Sequence, residues 1–250
     1  MAAKIKNDQL LAYLFDENPH TLTGPVSRWI DSSRRFKEFA IEYRDKIRKK
    51  IRITQSDSAI QDLTAELEVA YQLVQQKRFT VAYEPYGSEK ARGPDFAVTF
   101  KSFTFNVEVT RIHSGNLEMK GTPIGFDPQQ VNGRLMDTVC DKLGQMRPGM
   151  SNVLIIITDS TFFAALDLEQ ALTQLKDRVE QKEEGLYGRY GFVKPADFFK
   201  YYLRLSAILT RTPGSQGTKI YSNLWLNNQV KHPLTSPIQT LLQKPYPISR

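Results

Sequence analysis

The chain has little cysteine and histidine and no long apolar run. Cys140 is the only cysteine among 250 residues, which excludes disulfide frameworks and cysteine-rich zinc sites and predicts a cytoplasmic location. An isolated cysteine is most often a small buried residue, and we expect Cys140 to be one. The three histidines, His20, His113 and His232, are too scattered to indicate a zinc cluster. No segment reaches about 18 consecutive apolar residues, so no membrane span is expected.

Several catalytic motifs are also missing. The sequence contains no GxxxxGK[ST] phosphate loop, no GxSxG nucleophile elbow and no HExxH zinc motif. The apolar run within residues 1–20 is too short for a signal peptide and contains acidic residues. The balance of charge is basic, since 34 Lys and Arg against 27 Asp and Glu give a net charge of +7. A polyanion such as nucleic acid is therefore a plausible partner, with DNA favoured over RNA.

The periodicity of apolar residues predicts an α/β protein with a mixed sheet between helices. We expect an N-terminal helical extension over residues 1–55, packed on a core formed by residues 56–250. The predicted helices cover about residues 7–15, 26–53 with an interruption near Ser32, 59–76, 129–146 and 166–183, one helix opened by Pro195, and 237–243. The predicted strands cover about residues 79–84, 95–100, 103–112, 152–158, 205–211 and 220–226.

The predicted helix over residues 26–53 carries a dense row of basic side chains opposite its apolar stripe. Two interpretations remain open, a solvated helix face or an arm that contacts phosphates, and the solvated face is favoured. The same helix could pack against a second copy of itself and form a homodimer. The basic residues are Arg34, Arg35, Lys37, Arg44, Lys46, Arg48, Lys49, Lys50 and Arg52.

Glu66 is placed within the apolar stripe of the helix over residues 59–76. At about 100° per residue, Leu63, Ala70 and the other apolar residues fall on the same side as Glu66. Glu68 falls on the opposite side, where we expect it to face solvent. A carboxylate that points inward needs a partner, because burying an unpaired charge costs several kcal/mol. Glu66 is therefore either in a salt bridge or part of a functional site.

The two strands that follow predict a pair of facing carboxylates. If they form a hairpin about Lys101 and Ser102, one register places all the apolar side chains on one face, and burial should select that register. It pairs Phe100 with Phe103, Val98 with Phe105 and Phe96 with Val107, which sets Asp95 opposite Glu108. Facing residues have Cβ atoms about 5 Å apart, so the two charges repel and a bound cation is the simplest compensation. We expect Glu108 and Thr110 to share the open face of the sheet.

The order of these motifs resembles the PD-(D/E)xK nuclease superfamily, which has the restriction-endonuclease-like fold. The resemblance covers about residues 59–160. It implies that Glu66, Asp95 and Glu108 bind Mg²⁺ or Mn²⁺, with the carbonyl of Val109 as a possible further ligand. The motifs are Glu66-Leu-Glu-Val-Ala70, Phe79-Thr-Val-Ala82, Gly93-Pro-Asp-Phe96 and Val107-Glu-Val-Thr110.

Thr110 departs from the family pattern, because the family has a lysine two residues after the strand glutamate. That lysine helps to place the attacking water or stabilises transition-state charge, and threonine offers no cation. Arg111 is next in sequence, but strand alternation turns it to the other face. We expect the replacement to come from the following helix, where Lys142 and Gln145 are the candidates. For Lys142, a solvated helix charge is the favoured alternative.

Two functions follow from these residues. The first is metal-dependent hydrolysis of DNA phosphodiesters at the three carboxylates. The second is a nucleic-acid-binding or scaffold module that keeps the nuclease fold without turnover. Thr110 is the feature that separates them, since its lack of charge favours the second.

Overall fold

A computed structural model describes residues 5–87, 93–113, 126–183, 185, 188–213 and 220–244. Its centre is a six-stranded mixed sheet with the strands in sequence order. The two central pairings, β3 with β4 and β4 with β5, are parallel, and the outer pairings are antiparallel. The predicted α/β class is thus confirmed. The strands are β1 Phe79–Tyr83, β2 Phe96–Phe100, β3 Phe103–Arg111, β4 Ser151–Ile157, β5 Leu205–Arg211 and β6 Ser222–Leu226.

Helices precede the sheet and connect its strands. Each predicted helix has a counterpart, with differences in how the helical segments are divided. The helices of the described residues are α1 Asn7–Phe15, α2 Thr23–Ser32, α3 Arg34–Glu42, α4 Arg44–Ile53, α5 Asp57–Gln75, α6 Pro128–Leu143, α7 Ser160–Ala165, α8 Leu168–Glu180, α9 Pro195–Tyr202 and α10 Ser236–Gln243.

The long helix predicted over residues 26–53 is three helices. The interruption near Ser32 is confirmed, because Ser33 is extended and its side chain accepts a hydrogen bond from the Phe36 N–H. A second break at Tyr43 was not predicted. Apolar periodicity continues through this break, so the periodicity alone could not identify it.

The sheet buries a separate core on each face. One face packs against α5, the N-terminal helices and α10, and its strand residues include Phe96, Val107 and Ile155. The opposite face packs against α6 to α9 through strand residues such as Leu154 and Ile156. Both faces of β4 are covered, as its unbroken apolar sequence predicts.

The β2–β3 hairpin has the predicted register. Phe100 pairs with Phe103 and Phe96 pairs with Val107. A two-residue hairpin turn needs a residue with positive φ, for which glycine or asparagine is preferred. Here Lys101 takes that position, with a left-handed φ of 56°. Burial of the apolar face therefore selects the register, although the turn residue is unfavourable.

No helix in the described part of the chain is long and apolar enough to cross a membrane.

Candidate active site

The hairpin register places Asp95 beside Glu108. Asp95 immediately precedes β2, and its Oδ2 accepts a hydrogen bond from the Val109 N–H at 2.8 Å. The side chain of Asp95 therefore reaches the backbone of β3 next to Glu108. Whether the Val109 carbonyl binds a metal stays a prediction.

Glu108 is buried, with 2% of its surface exposed. The expectation that its face of the sheet is open is wrong, because α6 and its neighbours cover that face. Lys142 of α6 places its Nζ 3.5 Å from Glu108 Oε1, and only 12% of the Lys142 side chain is exposed. The alternative interpretation of Lys142 as a solvated helix charge is therefore wrong. The structure brings the predicted lysine to a predicted carboxylate.

Glu66 points inward, as its place in the apolar stripe predicts. Its Oε1 lies 2.6 Å from Lys50 Nζ and accepts a hydrogen bond from the Tyr83 hydroxyl. The salt bridge that was one interpretation of Glu66 is therefore present. The salt bridge does not exclude the interpretation of Glu66 as part of a functional site, because a cation that pairs with a carboxylate can belong to such a site.

The expectation that Glu68 faces solvent is wrong. Glu68 is 4% exposed, and its Oε1 accepts a hydrogen bond from Gln72 Nε2 at 3.0 Å. Gln72 in turn accepts a hydrogen bond from Arg211 of β5, so the Glu68 side of α5 is covered by the β5 side of the sheet. A helical wheel identifies which side of a helix is apolar but cannot show that another element covers the polar side.

Lys50 is a site residue that sequence analysis missed. Its Nζ contacts Glu66 and also Glu84 Oε1, at 2.9 Å. The prediction that this row of basic residues forms a solvated helix face is correct for Arg34 and Lys49, which are exposed. Lys50 and several of its basic neighbours instead bind other groups of the protein. The neighbours are Arg35 on the Val74 and Phe79 carbonyls, Lys46 on the Tyr83 and Glu84 carbonyls, and Arg48 on Asp16. A signal was present, because Lys46 and Lys50 lie one helical turn apart beside the apolar stripe.

The electrostatics of the site centre on Asp95. Burial, together with the charges of Glu108 and Glu66, raises the pKa of Asp95 well above its ordinary value. Burial likewise raises the pKa of Tyr83 well above its ordinary value, and the charge of Glu66 adds to this effect. Burial alone would lower the pKa of Lys50, but the charges of Glu66 and Asp95 outweigh it and raise that pKa. Protonation of Asp95 is therefore more favourable than that of an ordinary aspartate.

The remaining candidate residues make other contacts. Thr110 is half-buried on β3 and pairs with Ile156 of β4. Gln145 follows α6, is buried, and donates its backbone N–H to the Lys142 carbonyl. Arg111 lies on the α5 side, where it contacts Asp62 at 3.1 Å, as strand alternation predicts. His113 also contacts Asp62 and has 40% of its side chain exposed.

The chemistry of these side chains suits a hard divalent cation, because carboxylate oxygens are its preferred protein ligands. As the side chains stand, no group of three His, Cys, Asp or Glu residues in the described ranges has the spacing of a metal site. Glu66 and Glu108 instead make ion pairs with Lys50 and Lys142. Metal binding would therefore require these carboxylates to exchange an ammonium for the ion.

Comparison of the chain with protein-family models, curated proteins and solved structures finds no match in any of the three.

Proposed function

We propose that this protein hydrolyses DNA phosphodiesters with a divalent metal held by Glu66, Asp95 and Glu108, in a restriction-endonuclease-like fold. The observation that carries the proposal is the position of Asp95. The hairpin register sets it beside Glu108, and its carboxylate is hydrogen-bonded to Val109. The helix–strand–strand order of the three acids is the order by which the chain resembles the PD-(D/E)xK superfamily.

The residues around the acids have definite tasks in such a reaction. Glu66, Asp95 and Glu108 would hold Mg²⁺ or Mn²⁺, which would supply Lewis acidity and lower the pKa of a water nucleophile. Tyr83 orients Glu66 through its hydroxyl, and the Val109 N–H orients Asp95. Lys142 supplies positive charge next to Glu108, where Thr110 cannot. The burial of Glu108 and Lys142 strengthens the interaction between their charges.

DNA is the proposed substrate because the protein is basic overall. Its net charge of +7 attracts a polyanion, and attraction of this kind weakens as salt concentration rises. Cleavage should accordingly slow between low and physiological ionic strength.

Incubation with supercoiled plasmid and Mg²⁺ or Mn²⁺ tests the proposal. The wild-type protein should convert the plasmid to nicked or linear DNA, and Asp95→Asn should not. Glu180→Gln, which also removes one negative charge but lies on the exposed side of α8, is the matched control and should cleave normally. Cleavage that persists in Asp95→Asn would remove these acids from the reaction.

A second candidate function is a binding module with the nuclease fold and no turnover. The observation that favours it is that lysines already neutralise Glu66 and Glu108, which is how an inert buried site remains stable. DNA binding without cleavage, and without a metal-induced rise in melting temperature, would support this function over the first.

A further inference from the structure

The two edges of the sheet differ in how their backbone groups are bound. Among the described residues, β1 forms one edge of the sheet and β6 forms the other. At β1, Arg35 donates to the Phe79 carbonyl and Lys46 donates to the Tyr83 carbonyl, both at 2.8 Å. Basic side chains that bind the outward carbonyls of an edge strand prevent another strand from pairing there. The β1 edge is therefore closed to a further strand.

The β6 edge directs backbone groups outward. The Thr212 N–H donates to the Tyr221 carbonyl, and the Asn227 N–H donates to the Ser206 carbonyl, which fixes the alternation of this antiparallel ladder. The residues of β6 whose N–H and carbonyl groups point away from β5 are therefore Ser222, Leu224 and Leu226. Within the described part of the chain, no backbone hydrogen bond reaches these outward groups. They are donors and acceptors that a further strand can use.

The side chains of β6 do not protect this edge. Residues 220–230 contain no charged residue, although the chain as a whole has a net charge of +7. Leu224 packs on one core of the sheet and Trp225 on the other, and both are half-buried. An open groove beside the strand is lined by Asn223, Leu224 and Trp225 and by residues 164–169, where α7 leads into α8. An uncharged edge strand with apolar side chains on both faces is a template for strand pairing.

We propose that a second copy of this chain binds the β6 edge, so that two β6 strands pair antiparallel and one sheet continues through both copies. The inference is independent of the proposed function. A two-fold axis at Leu224 makes the pairing isologous, because each copy uses the same surface. Leu224 then faces Leu224 of the partner subunit, and the two residues exchange both backbone hydrogen bonds.

The side chains that meet in this register favour a second copy as the occupant. Ser222 faces Leu226 of the partner subunit on one face of the sheet, and Asn223 faces Trp225 of the partner subunit on the other. None of these residues is charged, so the positive charges of two basic copies do not meet at the axis. Each strand supplies equal numbers of outward donors and acceptors, which antiparallel pairing with itself satisfies.

Aromatic side chains next to β6 enlarge the contact surface. Tyr221 has 47% of its surface exposed, and its ring centre lies 6.1 Å from that of Phe163 on α7. A five-residue strand buries little area by itself, and stable interfaces bury about 800 Å² on each partner. We therefore expect a dimer that forms and dissociates with protein concentration.

Cysteine cross-linking tests the register in the full-length protein. The Cα atoms of a hydrogen-bonded antiparallel pair lie about 5.5 Å apart, which a disulfide can span. Leu224→Cys should therefore form a covalent dimer with oxidised glutathione, seen on a non-reducing gel. Leu226→Cys is the matched control, because it lies on the same face but more than about 13 Å from its own copy. The wild type should not cross-link, because Cys140 is buried.

Sedimentation and hydrogen exchange test the pairing without an added cysteine. The wild type should sediment as a dimer at high concentration, and the Leu224 amide should exchange more slowly in the dimer than in the monomer. Leu224→Lys sets two like charges opposite each other at the axis and should abolish the dimer. Should that lysine impair folding, Ser222→Pro removes an outward N–H without removing a hydrogen bond to β5. This variant should raise the dissociation constant of the dimer by at least about tenfold.

Three results would overturn the proposal. If the wild type stays monomeric at every concentration and Leu224→Cys does not cross-link, no second copy binds β6, and the edge is left for a segment of another protein. If the wild type dimerises but Leu226→Cys cross-links as well as Leu224→Cys, the copies meet at another surface, such as the N-terminal helices. If the Leu224 amide is already protected in the monomer, another part of the same chain covers the edge. Plasmid cleavage tests the proposed function separately from all three results.

Discussion

Gly93→Ala should destabilise the protein through a single close contact. A Cβ added at Gly93 would lie 2.7 Å from Tyr86 Cβ and 2.9 Å from Tyr86 Cδ2. Real Cβ atoms do not approach so closely, so the backbone next to Asp95 must move. Overpacking of this kind costs about 1–3 kcal/mol. The lower entropy of alanine in the unfolded chain offsets about 0.4–1 kcal/mol of that cost.

We therefore expect Gly93→Ala to lower the free energy of unfolding by about 1–2 kcal/mol, which is about 2–8 °C in melting temperature for a chain of this size. Urea denaturation followed by circular dichroism measures the change. Gly133→Ala is the matched control, because a Cβ at Gly133 has nothing within 4 Å. Gly133 lies inside α6, where alanine should raise the free energy of unfolding by about 1 kcal/mol.

A double-mutant cycle with Tyr86→Gly tests the cause. The closest atom to the new methyl group is Tyr86 Cβ, so Gly93→Ala should cost little in the Tyr86→Gly background, whereas Tyr86→Ala should give little relief. An equal cost in the wild-type and Tyr86→Gly backgrounds would refute the contact as the reason. A wild-type free energy of unfolding in Gly93→Ala itself would refute the geometry.

Three further predictions concern single side chains. Burial and the charges of Glu108 and Glu66 raise the pKa of Asp95, so ionisation of this carboxyl group destabilises the fold. In EDTA, the free energy of unfolding of Asp95→Asn should therefore exceed that of the wild type at pH 8. This difference should shrink as the pH falls toward 3.8, the ordinary pKa of aspartate. Parallel stability curves of the two proteins against pH would contradict this. Lys101→Gly should stabilise the hairpin by about 0.5–1 kcal/mol in urea denaturation, because a left-handed φ is costly for lysine, while Ser102→Gly, with its negative φ, should not stabilise it. Burial raises the pKa of Cys140 to about 12, so iodoacetamide at pH 8 should label it only in urea, and full labelling of the native protein by mass spectrometry would disprove its burial.

The sequence by itself determined the sheet and the position of two acids. Alternation of apolar residues in β2 and β3 allows one register that buries them all, and this register sets Asp95 beside Glu108. The unbroken apolar sequence of β4 likewise requires cover on both faces. These are local patterns with a period of two, and burial of one face leaves little freedom in how they pair.

Only the tertiary structure decided which cations meet the acids. Glu68 is buried on the side of α5 where Gln72 links it to Arg211 of β5, and the packing of α4 on α5 brings Lys50 to Glu66. On the opposite face, α6 covers Glu108 and turns an expected open surface into a buried ion pair with Lys142. Contacts between elements distant in sequence depend on the order of layers, which the periodicity of a single helix does not encode. The inward direction of Glu66 and the proximity of Asp95 to Glu108 could therefore be predicted from the sequence. The contacts of the two lysines with these acids depend on how the helices pack on one another and on the sheet.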